Sequence, residues 1–156
     1  MKFDKFLKNV GMMGQIHERE NGDRWLVCGG VGMRIPVGAV NLLGSGVATD
    51  KEKELIEEIV HSDTDTKVTL SRAILKEADG KASDIIRVFA NDTTKERYLH
   101  EVGIYNGDFG LLEKADQNLA VINVEDPDDE LDVTSYLLIL DHTDDEVQGF
   151  ITGVDI

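Results

Sequence analysis

The sequence is poor in proline and cysteine, and each shortage excludes a class of protein. It has 2 Pro in 156 residues and no long polar tract, which argues against an intrinsically disordered chain. Its one cysteine, Cys28, cannot form an internal disulfide, so a small disulfide-stapled scaffold is excluded. Because Cys28 lies inside an apolar run, we predict a buried structural thiol at this position.

Long apolar runs are also absent. No run approaches the roughly 20 residues that a membrane-spanning helix needs. Residues 1–8 lack the continuous apolar core of a secretory signal peptide. The hydrophobic content of 41% is ordinary for a globular protein, and the length suffices for one core. We therefore expect a globular protein that is made and assembled in the cytoplasm.

Positive charge is scarce as well. The chain has 16 Lys+Arg against 31 Asp+Glu, which gives a formal net charge of −15. A surface of this sign repels phosphate groups, so binding to nucleic acid is not expected. Three interpretations of the acidic residues stay open: solubility, a surface that binds a basic partner, and mimicry of DNA.

The first ten residues have the apolar spacing of a short amphipathic helix. The apolar positions follow an i, i+3, i+4, i+7 pattern, and they are Phe3, Phe6, Leu7 and Val10. Gly11 is a natural end for a helix over residues 2–10. Because so short a helix is marginal by itself, its stripe must pack on something. That cover is either its own domain or, as a subunit contact, a neighbouring copy; a membrane surface is the third alternative.

The chain is predicted to divide at residue 49. Residues 1–49 combine the N-terminal helix with a glycine-rich arm or small sheet, in which residues 20–23 form a turn. Residues 50–156 are predicted to be the main domain, a β-sandwich. Thr49 and Glu52 have capping-box spacing, which predicts a short helix at about residues 50–60.

From residue 67 onwards, several segments have the patterns of strands. Residues 67–74 and 131–139 alternate between apolar and polar side chains with a period of two, and residues 85–89 form a dense apolar run that we expect to be covered on both faces. The predicted strands are 67–74, 85–89, 98–105, 111–115, 119–124, 131–139 and 150–154. The clearest alternation places Leu131, Val133, Leu137 and Ile139 on one face, which we expect to face the core. Because turn signals separate the strands at short intervals, we predict a mainly β fold, an antiparallel β-sandwich.

One hairpin carries the most specific local signal. Asn106-Gly107 supplies the positive φ angles of a tight turn. The turn is predicted to join a strand that ends at Tyr105 to a strand that begins at Leu111.

Glu101 lies inside the first strand of this hairpin. It therefore either faces solvent or is buried with a partner that donates hydrogen bonds. Arg72 and Arg87, which also lie in predicted strands, are the candidate partners.

No constellation of catalytic, cofactor-binding or metal-ligating residues is recognisable. The glycines at 29–32 lack the third glycine of a dinucleotide fingerprint and the lysine of a phosphate loop, so a tight turn is predicted. The four histidines are scattered, with no helical spacing suited to zinc; they are His17, His61, His100 and His142. We therefore predict no catalytic, cofactor or metal site, and no enzyme.

Two acidic clusters, residues 125–130 and 141–146, flank the predicted strand 131–139. Carboxylates suit Ca²⁺ or Mg²⁺, but neither cluster has the spacing of an EF-hand loop. The intervening strand is on the order of 30 Å long, so the clusters cannot share one ion. Solvated loops are the expected structure of both.

The series that begins with Glu101-Val102-Gly103-Ile104-Tyr105 resembles a known family. Together with Asn106-Gly107, Leu111-Leu112 and residues 128–134, it resembles a β-rich domain of tail-fibre and other tail-associated structural proteins of bacteriophages. The resemblance covers about residues 66–140. Its structural motif consists of Glu101, Gly103, Tyr105, Asn106 and Gly107.

The resemblance implies a phage virion structural protein: a tail, baseplate, neck, or short-fibre or adaptor component that acts by oligomeric assembly. It implies other virion proteins and copies of the chain as partners, with no nucleic acid and no membrane. The implied location is the virion, assembled in the host cytoplasm. Family members often have a receptor-binding region after this domain, and no such region follows here, so receptor binding is not expected. The alternative is a small acidic inhibitor or regulator that binds a basic groove on another protein.

Overall fold

The computed structural model of the chain describes residues 1–39, 45–75, 84–91 and 100–156. Within these ranges the chain is mainly β, with ten strands and three α-helices. The strands are β1 (Gln15–Glu18), β2 (Arg24–Cys28), β3 (Val31–Arg34), β4 (Gly46–Val47), β5 (Thr69–Leu75), β6 (Ile85–Ala90), β7 (Glu101–Tyr105), β8 (Leu119–Asp126), β9 (Asp129–Leu140) and β10 (Val147–Thr152). The helices are α1 (Phe3–Val10), α2 (Asp50–Val60) and α3 (Asn106–Phe109). Residues 98 and 99 of the predicted strand 98–105 lie outside the described residues.

The strands form two sheets, which confirms the predicted mainly β, two-sheet fold. The larger sheet has the order β4-β1-β2-β3-β10-β9-β8, and the smaller has the order β5-β6-β7. Two single bridges tie the smaller sheet to the larger one. Lys67, just before β5, pairs with Ala120 of β8, and Gly103 of β7 pairs with Val154, just after β10. The smaller sheet is thus attached at both of its edges.

The larger sheet separates two apolar cores. The first lies between the two sheets and under α1, and its buried members include Leu26, Met33, Phe89, Val102, Leu137 and Ile151. The second lies under α2, and its buried members include Trp25, Ile56, Ile59, Leu138 and Phe150. Because successive strand residues point to opposite faces, β9 contributes to both cores. The layers are therefore helix α2, large sheet, and small sheet with α1.

Helix α2 begins where the capping box predicts. The Thr49 side chain accepts a hydrogen bond from the Glu52 N–H (3.2 Å), and the Glu52 carboxylate accepts one from the Thr49 N–H (2.9 Å). Ile56 and Ile59 are fully buried against the large sheet. Burial of two such side chains stabilises the docked helix by roughly 2–3 kcal/mol each.

Helix α1 packs on its own chain. Phe6 and Val10 are buried in the first core, and Phe3 and Leu7 are half-buried against it. Gly11 ends the helix with a φ of +54°, which glycine adopts without strain. The apolar stripe therefore has an intramolecular cover. A subunit contact through these four residues stays a prediction, and it would have to use the exposed parts of Phe3 and Leu7.

The large sheet crosses the division predicted at residue 49. Strand β3 comes from the glycine-rich part, and it pairs with β10 from Val31↔Ile151 to Met33↔Gly149. Strands β1 to β3 have only 4, 5 and 4 residues, and such short strands gain stability by joining a larger sheet. Residue 49 is therefore not a boundary between separate sheets or separate cores.

Asn106 and Gly107 do not form the predicted hairpin turn. They begin α3, and Gly107 does not have a positive φ. Residues 111–115 form turns instead of a strand, and β7 pairs with β6. The physical reason is the packing of Leu111, whose side chain is buried in the first core and whose carbonyl accepts a hydrogen bond from the Lys2 N–H at 2.8 Å. Tertiary packing overrides the local preference for a turn.

Strand β9 is buried at one end and exposed at the other. Its last five residues are all buried, whereas Leu131 is 93% exposed and Val133 is 48% exposed. The expectation that Leu131 and Val133 face the core is therefore wrong. Apolar and polar residues alternate along β9 beyond the part of the strand that the smaller sheet covers. The alternation predicts which residues share a face, but it does not predict where along the strand that face becomes exposed.

A matched pair of substitutions on β9 tests this exposure boundary. Leu137→Asp should unfold the protein, because Leu137 is 0% exposed and an unpaired buried carboxylate costs several kcal/mol, which is of the order of total stability. Val133 lies on the same face of β9, nearer the start of the strand. Val133→Asp should change the free energy of unfolding by less than about 1 kcal/mol, because this side chain is half exposed. Urea unfolding followed by circular dichroism measures both. Equal losses would contradict the exposure of Val133.

A second pair of substitutions tests the space and the backbone conformation at Gly32 and Gly107. Gly32 lies against the Phe150 ring, and a Cβ there would overlap the ring, whereas a Cβ on Gly107 would meet no atom within 4 Å. Gly32→Ala should destabilise by about 1–3 kcal/mol. Gly107→Ala should be neutral or stabilise by up to about 1 kcal/mol, because alanine favours the helical conformation. A destabilised Gly107→Ala protein would instead indicate the positive φ of a hairpin turn.

Candidate interaction surface

The exposed ends of β8 and β9 form a projecting two-stranded ribbon. The two strands pair from Leu119↔Ile139 to Asp126↔Asp129. All of residues 129–133 are exposed, so neither face of this end is covered. We call residues 125–133 the acidic ribbon. Six of its nine side chains are carboxylates: Glu125, Asp126, Asp128, Asp129, Glu130 and Asp132.

Two of these carboxylates shape the tip of the acidic ribbon. Asp126 accepts a hydrogen bond from the Asp128 N–H at 2.8 Å, and Asp129 accepts one from the Leu131 N–H at 3.0 Å. Among the described residues, no lysine or arginine forms an ion pair with any carboxylate of the ribbon. Within the described residues, the ribbon therefore presents carboxylates that form no ion pair, beside the exposed side chain of Leu131.

The second acidic cluster, residues 141–146, is tied into the fold. Hydrogen bonds from the Thr143 hydroxyl (2.6 Å) and N–H (2.8 Å) lower the pKa of Asp141. Asp145 accepts a hydrogen bond from the Asn118 side chain (2.6 Å) and pairs with Lys67 (3.0 Å), and these contacts lower its pKa. The cluster is thus an ordered loop at the other end of β9. In the described part of the chain, no group of three or more His, Cys, Asp or Glu side chains could hold a metal ion.

Glu57 joins the β1–β2 hairpin to α2. Its carboxylate accepts hydrogen bonds from the Arg19 side chain at 3.0 and 3.4 Å and contacts the His17 ring at 3.1 Å. The Arg19 and His17 side chains are only 13% and 12% exposed. The hydrogen bond from Arg19 is the main reason that the pKa of Glu57 is lowered. His61 contacts the Glu57 backbone carbonyl at 2.7 Å, so this glutamate brings two of the four histidines together.

We call His17, Arg19, Glu57 and His61 the Glu57 cluster, and the sequence did not predict it. Its members lie on a hairpin and a helix that are far apart in the chain, and no local spacing connects them. The remaining histidines, His100 and His142, do not join it. Cys28 is half-buried and is not in a disulfide.

Three residues of the predicted structural motif, Glu101, Gly103 and Asn106, make specific contacts within the fold. Glu101 pairs with Arg72 at 3.7 Å across the smaller sheet, as one of the two alternatives predicted. Arg87 instead donates a hydrogen bond to Asn106 (3.1 Å) and lies over the Phe109 ring, 4.9 Å from its centroid. A Cβ on Gly103 would lie 2.8 Å from Ile86, so this position requires close approach. These contacts hold β7 and α3 in the fold.

Comparison with known proteins gave no relatives. No protein-family model matches the chain, and neither a curated protein nor a solved structure is significantly similar to it. In the described ranges, no helix has the length and apolar character that a membrane span requires.

The Glu57 cluster predicts a pH-dependent contribution to stability. Glu57→Gln should lower the free energy of unfolding by about 1 kcal/mol, because the glutamate is partly exposed and its ion pairs are screened. The pKa of the folded Glu57 is lowered, so its contribution is complete above the ordinary carboxyl pKa and disappears as the pH falls through the folded value. Urea unfolding of both proteins at neutral and acidic pH measures this loss.

Glu54→Gln is the matched control, since Glu54 is exposed on the same helix. It should leave stability unchanged at every pH. If Glu57→Gln and Glu54→Gln give the same unfolding curves, the Glu57 cluster does not stabilise the docking of the hairpin on α2.

Proposed function

We propose that the chain is a structural component of a bacteriophage virion, in a tail, baseplate, neck, or short-fibre or adaptor position. It acts by assembling with copies of itself and with other virion proteins. Two lines of reasoning support the proposal. The resemblance of residues 101–134 to tail-associated domains supplies the phage context, and the shape of the described surface supplies the mode of action.

The acidic ribbon is the observation that carries this mode of action. A two-stranded ribbon with both faces exposed gains little from packing on its own domain. Leu131 at its edge is 93% exposed, which costs free energy in water unless a partner covers it. A ribbon of this kind is suited to insertion into another protein, where backbone edges and alternate side chains both make contacts.

A second candidate function uses the same ribbon differently. The six carboxylates of residues 125–132 lie close together on two paired strands. A basic groove on another protein would attract such a concentration of negative charge. On this interpretation the chain is a small acidic inhibitor or regulator, and it acts as a monomer on one basic protein. The two candidates differ in stoichiometry and in salt dependence.

We predict that the purified chain self-associates. Sedimentation velocity between about 1 and 100 µM should show oligomers that grow with concentration, since a contact of standard size gives micromolar or tighter affinity. Particles purified from the phage that encodes the chain should contain it in many copies, as measured by quantitative mass spectrometry.

The opposite result favours the second candidate. A chain that stays monomeric over this range, is absent from purified particles and binds a basic protein one-to-one contradicts the virion proposal. Its affinity should then fall steeply with salt, because exposed charges supply most of the attraction.

A further inference from the structure

The four methionines of the chain fall into two classes of exposure. Met12 and Met13 are 80% and 76% exposed, although methionine is most often a core residue. Met33 is 1% exposed and lies in the first core, and the Met1 side chain is 4% exposed. All four thioethers have the same chemistry. The fold therefore decides which of them a dissolved reagent can reach.

The exposed pair lies on a turn that is anchored at both ends. The 3₁₀ turn Gly11–Met13 joins α1 to β1, and none of its residues is buried. Before the turn, Val10 is buried in the first core. After it, the Gly14 carbonyl accepts a hydrogen bond from the Gly46 N–H at 2.9 Å, and a Cβ on Gly14 would lie 2.8 Å from the Leu26 side chain. The neighbours of the turn, and not the two methionine side chains, thus hold its backbone in place.

The other two methionines are packed tightly. Met33 pairs with Leu26 of β2 and with Gly149 of β10, so it has a strand on each side. A Cβ on Gly149 would overlap the Met1 sulfur, and the Met1 amino group forms an ion pair with Asp116 at 2.8 Å. An oxygen atom added to either sulfur would need space that this packing does not leave, and it would bury a polar group.

We propose that Met12 and Met13 are a reversible oxidation site for hydrogen peroxide, and that the fold directs oxidation to them and away from the core. In this reaction the thioether sulfur attacks one peroxide oxygen, the O–O bond breaks and an S–O bond forms. The sulfur loses two electrons, the peroxide is reduced to water, and the product is methionine sulfoxide. A thiol-dependent methionine sulfoxide reductase reverses the change: two thiols are oxidised to a disulfide, and the oxygen leaves as water.

Oxidation at this site changes the surface and leaves the fold intact. A sulfoxide is polar, and on an exposed turn water hydrates it, whereas the same group in the core would lose its hydration. Conversion of two exposed thioethers therefore replaces apolar surface beside β1 with polar surface, at no cost to the core. The site requires only that the turn is accessible, so it does not depend on the proposed assembly function.

Peptide mapping after peroxide treatment tests the proposal. Cleavage after lysine and arginine places Met12 and Met13 in the peptide 9–19 and Met33 in the peptide 25–34, where fragment spectra separate Met33 from Cys28. In the native chain, the peptide 9–19 should gain two oxygen atoms, about 16 Da each, at least about tenfold faster than Met33 gains one. In unfolding urea the three methionines should be oxidised at similar rates, because the fold no longer covers Met33.

Two variants and one reversal give the controls. Met12→Leu with Met13→Leu should lose the fast uptake of oxygen and melt like the unchanged chain, because both side chains are exposed. Met33→Leu should keep the fast uptake of two oxygen atoms. The chain that is oxidised only at Met12 and Met13 should melt within about 2 °C of the unoxidised chain. Treatment with a methionine sulfoxide reductase and dithiothreitol should return its mass to the starting value.

Three results would overturn the proposal. Equal oxidation rates at Met12, Met13 and Met33 in the native chain would show that the fold does not direct the oxidant. A fall in Tm of more than about 2 °C on oxidation of Met12 and Met13 alone would show that the pair supports the fold. A mass that the reductase does not restore would show that the modification is not reversible.

Discussion

The pairing of β3 with β10 is the contact on which the larger sheet depends. It joins the glycine-rich part of the chain to the segment around Phe150, and Gly32 allows the Phe150 ring to lie directly on the backbone. The ring also packs against Trp25 and Tyr136, with centroid distances of 6.2 and 5.9 Å. Both cores form on the faces of this sheet, and the smaller sheet is attached to it by single bridges. Without the pairing, β1 to β3 would pair only with one another and with the two-residue strand β4.

Local chemistry allowed much of the fold to be predicted from the sequence. The capping box at Thr49 located the start of α2, and Gly11 located the end of α1. Gly22, with a φ of +91°, forms the predicted turn between β1 and β2. Apolar patterning identified most of the long strands, because part of each of β6, β8 and β9 lies on a core. In each case the residues that determine the feature lie close together in the chain. The sequence pattern alone is therefore enough to predict it.

The remaining features depend on contacts between distant segments. Asn106-Gly107 has the composition of a turn, but burial of Leu111 draws the chain into α3 instead. The Glu57 cluster combines a hairpin and a helix. Leu131 and Leu137 have the same place in the alternation but opposite exposure, because the cover over β9 is supplied by other strands. Pattern alone cannot distinguish such positions.

The carboxylates of the acidic ribbon also determine what the ribbon avoids. A projecting pair of strands has free backbone groups at its edges, and identical edges tend to pair with each other and aggregate. Identical ribbons that each carry six carboxylates repel one another at neutral pH, so edge-to-edge growth between copies is suppressed. High ionic strength screens these charges and weakens the repulsion while leaving Leu131 and Val133 exposed. The protection against edge-to-edge pairing is therefore weakest in concentrated salt.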